Sequence, residues 1–531
     1  MRYLEATPKK LSFVASIGIL LVLLIFGIFL FKDVHFGSER LPNAIERVVT
    51  QAFNEIWYRI RFESSMFASV SLSFFSDEKA WNEYTNRAAQ ALPVLLYHGM
   101  KKNEDDYAVS QEQFASHMKT LHDAGWRTVT LEEFEKFLRG KQTLPERSFL
   151  LTFDDGAKES YYPTDPILAT LSMNAASFIL PKYSNEQGTS YYLSSGEVET
   201  MLKSGRWEIG SHGQNSHDIV YIDADGEEGP YLANRIWLAK EERIETEDEY
   251  EERVTRDLAS SKALLEQRFK VPITTFAFPF GEFGHLSTNH PEADVVVHQS
   301  AQNIYDMSFY QTWEGEGYSF NYPTVPEGEM VFAKRIEPTP NTTAKELLKS
   351  LEYGLPKNLP FEDTFKEERG WFSVWGVYEH RDGILSLESA PEESGNAVVL
   401  NGTGHWENYR VRATINSPLG TGIFMWVRFA DRENNAGCNF GNGFVHAEEM
   451  VENVRNVNAG NRGDMTIPDG NFTVEARVED RTLTCVLNDT YEVSTQFLDP
   501  SLSRGGIGFK AWQPKLGEAQ FIVKSLTVET W

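Results

Sequence analysis

The nine residues Ser148–Gly156 constrain the fold more than any other segment, because an apolar run ends there in two aspartates and a glycine. A short apolar run bounded by a turn signal predicts a buried strand of a parallel sheet. In α/β folds, chemistry collects at the carboxyl ends of such strands. Adjacent aspartates resist joint ionisation, and a metal ion relieves this if one of them is its ligand. An ordinary strand followed by an Asp-Gly turn is the alternative.

Similar apolar runs alternate with helical segments from Pro93 onwards. The candidate strands are Val94–Tyr97, Thr128–Thr130, Ser148–Phe153, Ala176–Leu180, Trp207–Gly210, Thr275–Phe278, Val295–Val297 and Val331–Ile336. The candidate helices include Leu131–Leu138 and a longer one that starts at the capping box Thr246–Glu249, inside an acidic insertion, Tyr221–Val271. Seven or eight such units predict the α/β class and a (β/α) barrel, closed or incomplete, over residues 91–345.

Beyond residue 357 the pattern changes to short alternating β-type runs separated by turn residues. This predicts an all-β sandwich over residues 358–531, with residues 346–357 as a linker. Cys438 and Cys485 are the two cysteines of the chain, too few for a cysteine-based zinc cluster. They form either one disulfide or two buried thiols.

The N-terminal region contains an uncharged apolar run, residues 11–31, that is long enough to cross a bilayer. Arg2, Lys9 and Lys10 precede it, so the positive-inside bias places residues 1–10 in the cytoplasm and the rest outside. We therefore expect an uncleaved signal anchor and a single-pass protein of the cell membrane. A cleaved signal peptide is the alternative, against which stand the length of the run and the lack of a small-x-small site. Residues 32–90 carry an imperfect helical stripe and are predicted to form a helical stalk.

The net charge of −27 argues against a nucleic-acid partner, because no basic field would offset phosphate repulsion.

Two histidines, His212 and His217, follow the candidate strand Trp207–Gly210. On a helix this spacing would put them roughly 140° apart, so they converge only on a loop, as Gly213 and Ser216 suggest. Two imidazoles and one carboxylate form a three-ligand site with an open position, which is typical of catalytic zinc. The same donor set suits Co²⁺ or Ni²⁺. On spacing alone, a structural histidine pair is the alternative.

Two further strand ends carry groups suited to catalysis. Pro279-Phe280-Gly281 closes a strand with a turn whose backbone N–H groups can stabilise an oxyanion. His98 ends the strand Val94–Tyr97, and histidine transfers protons near neutral pH.

Taken together, Thr152–Gly156, Ser211–His217 and Pro279–Gly281 resemble the motifs of the polysaccharide deacetylases of carbohydrate esterase family 4. The four residues between the histidines, with Leu95–Gly99, resemble the poly-N-acetylglucosamine deacetylase branch. The resemblance implies that Asp154 is the general base, that His98 is the general acid and that the Phe280 amide donates to the oxyanion. It implies that Asp155, His212 and His217 are the ligands of a divalent metal, expected to be Zn²⁺. It places Pro279, Gly281 and Trp313 at the substrate.

This chain departs from the family pattern at three positions. Phe280 stands where tyrosine is usual, and Asp218 where a proline commonly follows the second histidine. Phe278 replaces the arginine often found before the proline, so the resemblance identifies no partner that orients Asp154.

The C-terminal region resembles concanavalin-type jelly rolls, through Phe361–Phe365, Asp382–Leu385, Trp406–Tyr409 and Gly505–Phe509. This implies a carbohydrate-binding module. For the whole chain we expect a membrane-anchored, extracytoplasmic, metal-dependent deacetylase of an N-acetylglucosamine polysaccharide, partnered with cell-envelope polysaccharide machinery. The alternatives are a peptidoglycan or other amide deacetylase, and a non-catalytic glycan-binding or assembly protein.

Overall fold

The computed structural model describes residues 87–100, 108–185, 189–286, 288–312, 320–417, 421–462, 466–468, 470–496 and 498–531, and one short strand pair, His35–Phe36 with Glu39–Arg40. The predicted cytoplasmic tail, the predicted membrane segment and most of the predicted stalk lie outside these ranges. Among the residues that are described, no helix combines the length and the apolar character needed to span a bilayer.

Eight parallel strands form the first sheet. They are β1 (Val94–Tyr97), β2 (Arg127–Val129), β3 (Ser148–Phe153), β4 (Ala175–Ile179), β5 (Trp207–Ser211), β6 (Thr275–Ala277), β7 (Met307–Gln311) and β8 (Val331–Arg335). The strand order is β8-β7-β6-β5-β4-β3-β1, with β2 paired to β3. A parallel bridge between Leu95 and Ile336 brings β8 back to β1. The sheet is therefore a nearly closed (β/α) barrel, which confirms the predicted α/β class and barrel.

Helices flank this sheet. They are α1 (Gln111–Asp123), α2 (Leu131–Leu138), α3 (Lys158–Tyr161), α4 (Asp165–Leu171), α5 (Ser195–Lys203), α6 (Glu247–Phe269), α7 (Ala293–Gln302) and α8 (Ala344–Gly354). The capping box at Thr246 begins α6 as predicted. Leu347 and Leu351 of α8 are fully buried with the barrel core, so most of the predicted linker 346–357 is a packed helix.

One predicted strand is wrong. Val295–Val297 belongs to α7, in which Val297 and Ala301, four residues apart, are buried while Val295 is 57% exposed. This is the periodicity of a helix, and three apolar residues are too few to distinguish it from a strand. The barrel strand in this part of the chain is β7, which starts at Met307, ten residues after Val297.

The acidic insertion contains two short antiparallel pairs before α6. They are Ile219–Tyr221 with Glu228–Pro230 and Trp237–Leu238 with Arg243–Ile244. The apolar face of α6 is formed by Tyr250, Val254, Leu258 and Leu265, all fully buried, as the spacing predicts.

In the described residues from Phe361 to Thr530, fifteen strands form two antiparallel sheets. They are β9 (Phe361–Asp363), β10 (Trp371–Trp375), β11 (Val377–Arg381), β12 (Ile384–Glu388), β13 (Gly395–Leu400), β14 (Tyr409–Ser417), β15 (Gly422–Phe429), β16 (Asn435–Gly441), β17 (Phe444–Val451), β18 (Val454–Arg462), β19 (Gly470–Glu479), β20 (Thr482–Leu487), β21 (Tyr491–Thr495), β22 (Gly506–Trp512) and β23 (Gln520–Thr530).

One sheet has the order β11-β12-β23-β14-β19-β20-β21, with β9 on β23, and the other has the order β10-β13-β22-β15-β16-β17-β18. Val411 from the first sheet and Met425 from the second lie in one apolar core. A disulfide between Cys438 on β16 and Cys485 on β20 joins the sheets. The disulfide therefore resolves the two alternatives left open by the cysteine count.

Candidate active site

The candidate catalytic residues lie together at the carboxyl ends of the barrel strands. His98 follows β1, Asp154 and Asp155 follow β3, and His212 follows β5. Pro279–Gly281 forms a short 3₁₀ turn just after β6. Because parallel strands all end at the same rim, residues far apart in sequence converge on one site.

Asp155, His212 and His217 bring their ligand atoms within 4.8 Å of one another. Oδ1 of Asp155 lies 3.6 Å from Nε2 of His212 and 3.3 Å from Nε2 of His217. This oxygen is buried and has no hydrogen bond of good geometry. A buried carboxylate oxygen without a donor, facing two imidazole nitrogens, fits a divalent cation that would complete all three groups. The residues therefore suit the metal expected from the sequence.

The ring of His212 is oriented by the backbone. Its Nδ1 lies 2.8 Å from the carbonyl oxygen of Ala277, which can only accept, so Nδ1 carries the proton. Nε2 is thereby left with its lone pair toward Asp155, as a metal ligand requires. Burial is the main reason that the pKa of His212 is lowered, which keeps the imidazole neutral.

The two histidines converge because a buried carboxylate on α6 organises their loop. Asp257 accepts hydrogen bonds from the backbone N–H groups of Gln214 (3.0 Å) and Asn215 (2.8 Å) and from the hydroxyl of Ser216 (2.6 Å). Gly213 has φ +82°, and a Cβ there would lie 2.0 Å from the Ser216 hydroxyl oxygen. Helix α6 of the acidic insertion thus holds the loop that carries His212 and His217.

Asp154 is 3% exposed and is held by Arg335, the last residue of β8, which is fully buried. Burial alone would raise the pKa of Asp154, but the charge and hydrogen bonds of Arg335 outweigh it, so this pKa is lowered. The carboxylate is therefore ionised, as a general base must be.

His98 is held in a similar way by Glu337, two residues beyond β8. Nδ1 of His98 lies 2.6 Å from Oε1 of Glu337, and the Gln311 side chain donates to the other oxygen of Glu337. Burial would lower the pKa of His98, but Glu337, with Asp154 and Asp155 nearby, raises it to about 9. His98 is therefore an imidazolium at neutral pH, the state of a general acid.

Aromatic side chains border the site. Phe280 adopts φ +61°, is 38% exposed, and packs its ring 4.5 Å from that of His217. Pro279 and Gly281 are buried in the same turn, and a Cβ at Gly281 would lie 2.8 Å from Gln311 Cβ. The hydroxyl of Tyr191 lies 3.5 Å from Oδ2 of Asp155. Trp313 lies outside the described residues.

Three residues of this site were absent from the sequence prediction: Arg335, Glu337 and Asp257. Arg335 lies near the end of the candidate strand Val331–Ile336 and Glu337 directly follows it, so charged residues at a strand end were a usable signal. Asp257 lies beside Val254 and Leu258 on the buried stripe of α6, where an acid is out of place unless it has partners.

Part of the barrel is similar to a known family of enzymes. Residues 141–292 match the polysaccharide deacetylase family model. Residues 141–292, the part of the barrel that carries Asp154, Asp155, His212 and His217, are therefore a polysaccharide deacetylase domain.

The chain is similar to two curated enzymes. It is 29% identical over 184 residues to the poly-beta-1,6-N-acetyl-D-glucosamine N-deacetylase of Escherichia coli (strain K12), covering 32% of this chain and 27% of that protein. It is 28% identical over 205 residues to the enzyme of the same name from Staphylococcus aureus (strain MRSA252), covering 38% of this chain and 64% of that one. The matched segments thus span less than two thirds of either relative.

Among solved structures, a de-N-acetylase from Aggregatibacter actinomycetemcomitans aligns with 49% of this chain and 99% of its own, at 21% identity and a TM-score of 0.42.

Proposed function

We propose that this protein is a metal-dependent N-deacetylase that removes acetyl groups from an N-acetylglucosamine polysaccharide. The observation that carries the proposal is the unsatisfied Oδ1 of Asp155, facing His212 and His217 beside the Asp154–Arg335 pair. A binding protein has no need for a cation site next to a carboxylate that is held ionised. The names of the two curated relatives support the substrate class.

Asp155, His212 and His217 would hold the divalent cation, and we propose Zn²⁺, with Co²⁺ and Ni²⁺ also suited to this donor set. When bound, such a cation supplies Lewis-acid polarisation at the reacting carbonyl. Asp155 is kept as a carboxylate: burial raises its pKa, and the neighbouring His217 and His212 outweigh that and lower it.

In the proposed reaction, Asp154 removes a proton from water as its oxygen attacks the acetamide carbonyl carbon. The backbone N–H of Phe280 stabilises the oxyanion that forms. The C–N bond then breaks, and His98 transfers its proton to the leaving amine, so that acetate and a free amine remain. Arg335 and Glu337 keep base and acid in opposite protonation states, which this sequence of proton transfers requires.

We propose the remaining features from the sequence. Residues 11–31 would anchor the chain in the cell membrane with the barrel outside, where cell-envelope polysaccharide machinery would be its partner. The C-terminal sheets would form a jelly-roll module that binds carbohydrate.

Acetate release and metal content test this proposal together. The full-length protein would be assayed on poly-β-1,6-N-acetylglucosamine, chitin oligomers and peptidoglycan, before and after chelation and Zn²⁺ restoration. Asp154→Asn should retain metal and lose acetate release, Asp155→Asn should lose both, and Asp123→Asn, at the exposed end of α1, should behave as wild type. Full activity of Asp154→Asn would refute the assignment, and release only from peptidoglycan would refute the substrate.

A further inference from the structure

The outward face of the seven-stranded sheet of the sandwich is unusually aromatic. Ile507 and Phe509 of β22 face the core, so the alternation of a strand turns Lys510 and Trp512 outward. The outward face of a sandwich is ordinarily polar. Here the face continues onto β15 with Phe424 and Trp426, which are only 8% and 4% exposed.

These side chains line a cavity of about 380 Å³ whose aromatic rings lie against glycine backbone. A Cβ at Gly422 would lie 2.2 Å from the Trp512 ring, and one at Gly437 would lie 2.6 Å from the Phe424 ring. Only glycine allows the rings to lie this close to the strands. The rings are thus fixed before any ligand arrives, which lowers the entropic cost of binding.

One wall of the cavity is a polar network that is already complete. The indole N–H of Trp512 donates to Asn439 (3.1 Å), and the amide of Asn439 donates to Glu448 (3.1 Å). Arg455 donates to both oxygens of Glu448, at 2.9 and 2.6 Å. The negative charge of Glu448 is therefore neutralised inside the wall. Glu449, the other acid of the lining, is buried and accepts the backbone N–H of Asp499 at 2.8 Å.

Two cations in the cavity have no such partner. Nζ of Lys510 lies 5.5 Å and Cζ of Arg432 lies 5.6 Å from the ring centre of Trp375, one cation–π contact each. Within the described part of the chain, no carboxylate lies within 4 Å of either group. Arg432 donates to the carbonyl of Val374, and burial lowers the pKa of Lys510. Lys510 is partly buried and Arg432 is exposed. Two cations beside aromatic rings, neither of them paired with a carboxylate, favour an anionic ligand with an apolar face.

We propose that this cavity binds an acidic sugar unit, that is, a polysaccharide residue that carries a carboxylate. The sugar ring would pack on Trp375 and Trp512, and the carboxylate would lie between Lys510 and Arg432. The deacetylated amine product would be repelled by these cations. This inference goes beyond the deacetylase proposal, because it assigns the sandwich a glycan of opposite charge to that product.

Binding of the full-length protein to polygalacturonate, chitin oligosaccharide and chitosan oligosaccharide tests the inference without any deacetylation. An Asp154→Asn background keeps the reaction silent during the titration. We expect polygalacturonate to bind best and to weaken as salt rises. Lys510→Met keeps the length of the side chain and should weaken this binding at least about tenfold, the loss typical of a charged hydrogen bond.

Lys515→Met is the matched control, because Lys515 is exposed, pairs with Glu518 and lies outside the cavity. It should bind polygalacturonate as wild type does. Trp375→Ala should abolish binding, with intrinsic fluorescence and melting temperature reporting whether the sandwich remains folded. Equal binding by Lys510→Met, or tighter binding of the neutral or cationic glycan, would overturn the inference even if the deacetylase is active.

Discussion

Arg335 and Asp154 form a bidentate ion pair, with Nη1 at 2.6 Å from Oδ1 and Nη2 at 2.8 Å from Oδ2. Both side chains are buried, and the two residues lie 181 positions apart in the sequence. Related enzymes often have an arginine directly before the proline that corresponds to Pro279, where this chain has Phe278. Here Arg335, from β8, is the arginine that contacts Asp154. The base is thus oriented by a residue from the strand that nearly closes the barrel.

Removal of Arg335 alone should destabilise the barrel. Arg335→Leu leaves Asp154 buried without a counter-ion, so we expect a loss of about 3–5 kcal/mol in the free energy of unfolding. Urea denaturation followed by tryptophan fluorescence measures this. The double variant Arg335→Leu/Asp154→Leu should recover a large part of the loss, because no buried charge remains. A double variant as unstable as the single one would show that the arginine acts through packing instead.

Activity should depend on the protonation of His98. Its pKa of about 9, above the ordinary 6.5, means that the imidazolium persists through neutral pH. Because a general acid must carry its proton, activity should hold through neutrality and fall as pH rises past about 9. Glu337→Gln removes the acceptor charge while burial and the neighbours Asp154 and Asp155 remain, so the alkaline fall should begin at least about one pH unit lower. Profiles of kcat against pH measure the shift.

The matched control for this variant is Glu329→Gln, an exposed acid two residues before β8. Its pH profile should coincide with that of wild type. An unchanged alkaline limb in Glu337→Gln would contradict the role of Glu337 in holding the proton on His98.

The loop that carries the histidines should depend on Asp257. In Asp257→Asn one acceptor oxygen becomes an N–H₂ donor that faces the donors of Gln214 and Ser216, so the loop loses its anchor. We expect Zn²⁺ affinity to fall about 10- to 100-fold, as for other residues that orient metal ligands. Competition with a chromogenic chelator measures the affinity. Glu251→Gln, on the exposed side of the same helix, should leave it unchanged, and an equal loss in both variants would refute the role of Asp257.

The sequence predicted the parts of the fold that depend on local pattern. The predicted strands Val94–Tyr97, Ser148–Phe153 and Trp207–Gly210 are strands of the barrel. Burial on both faces of a parallel sheet requires a continuous apolar run, which the sequence shows at these positions. The prediction of a strand at Val295–Val297 was wrong, because three consecutive apolar residues fit one turn of a helix as well as a strand. Met307–Gln311 was missed because Ser308 and Gln311 interrupt its apolar character.

Within the site, the sequence pattern located the candidate catalytic and metal-binding residues that follow strands. It missed the residues that hydrogen-bond to them and hold them in place. His98, Asp154, Asp155 and His212 all follow strands identified in advance. Arg335 and Glu337 also end a predicted strand, but their partners lie more than 180 residues away, and no local pattern pairs residues over that distance. The pairing is a property of the nearly closed sheet, which brings β8 beside β1.

The disulfide between Cys438 and Cys485 yields the last prediction. It joins opposite sheets and closes a loop across 47 residues, so in the chain-entropy account its removal should cost the sandwich about 3–4 kcal/mol. The double variant Cys438→Ser/Cys485→Ser should therefore melt earlier in its sandwich transition by calorimetry. Acetate release should be unchanged, because both cysteines belong to the apolar core of the two C-terminal sheets and not to the barrel core. Reduction of the wild-type protein should reproduce the shift, and the absence of any shift in both experiments would contradict a stabilising cross-sheet bond.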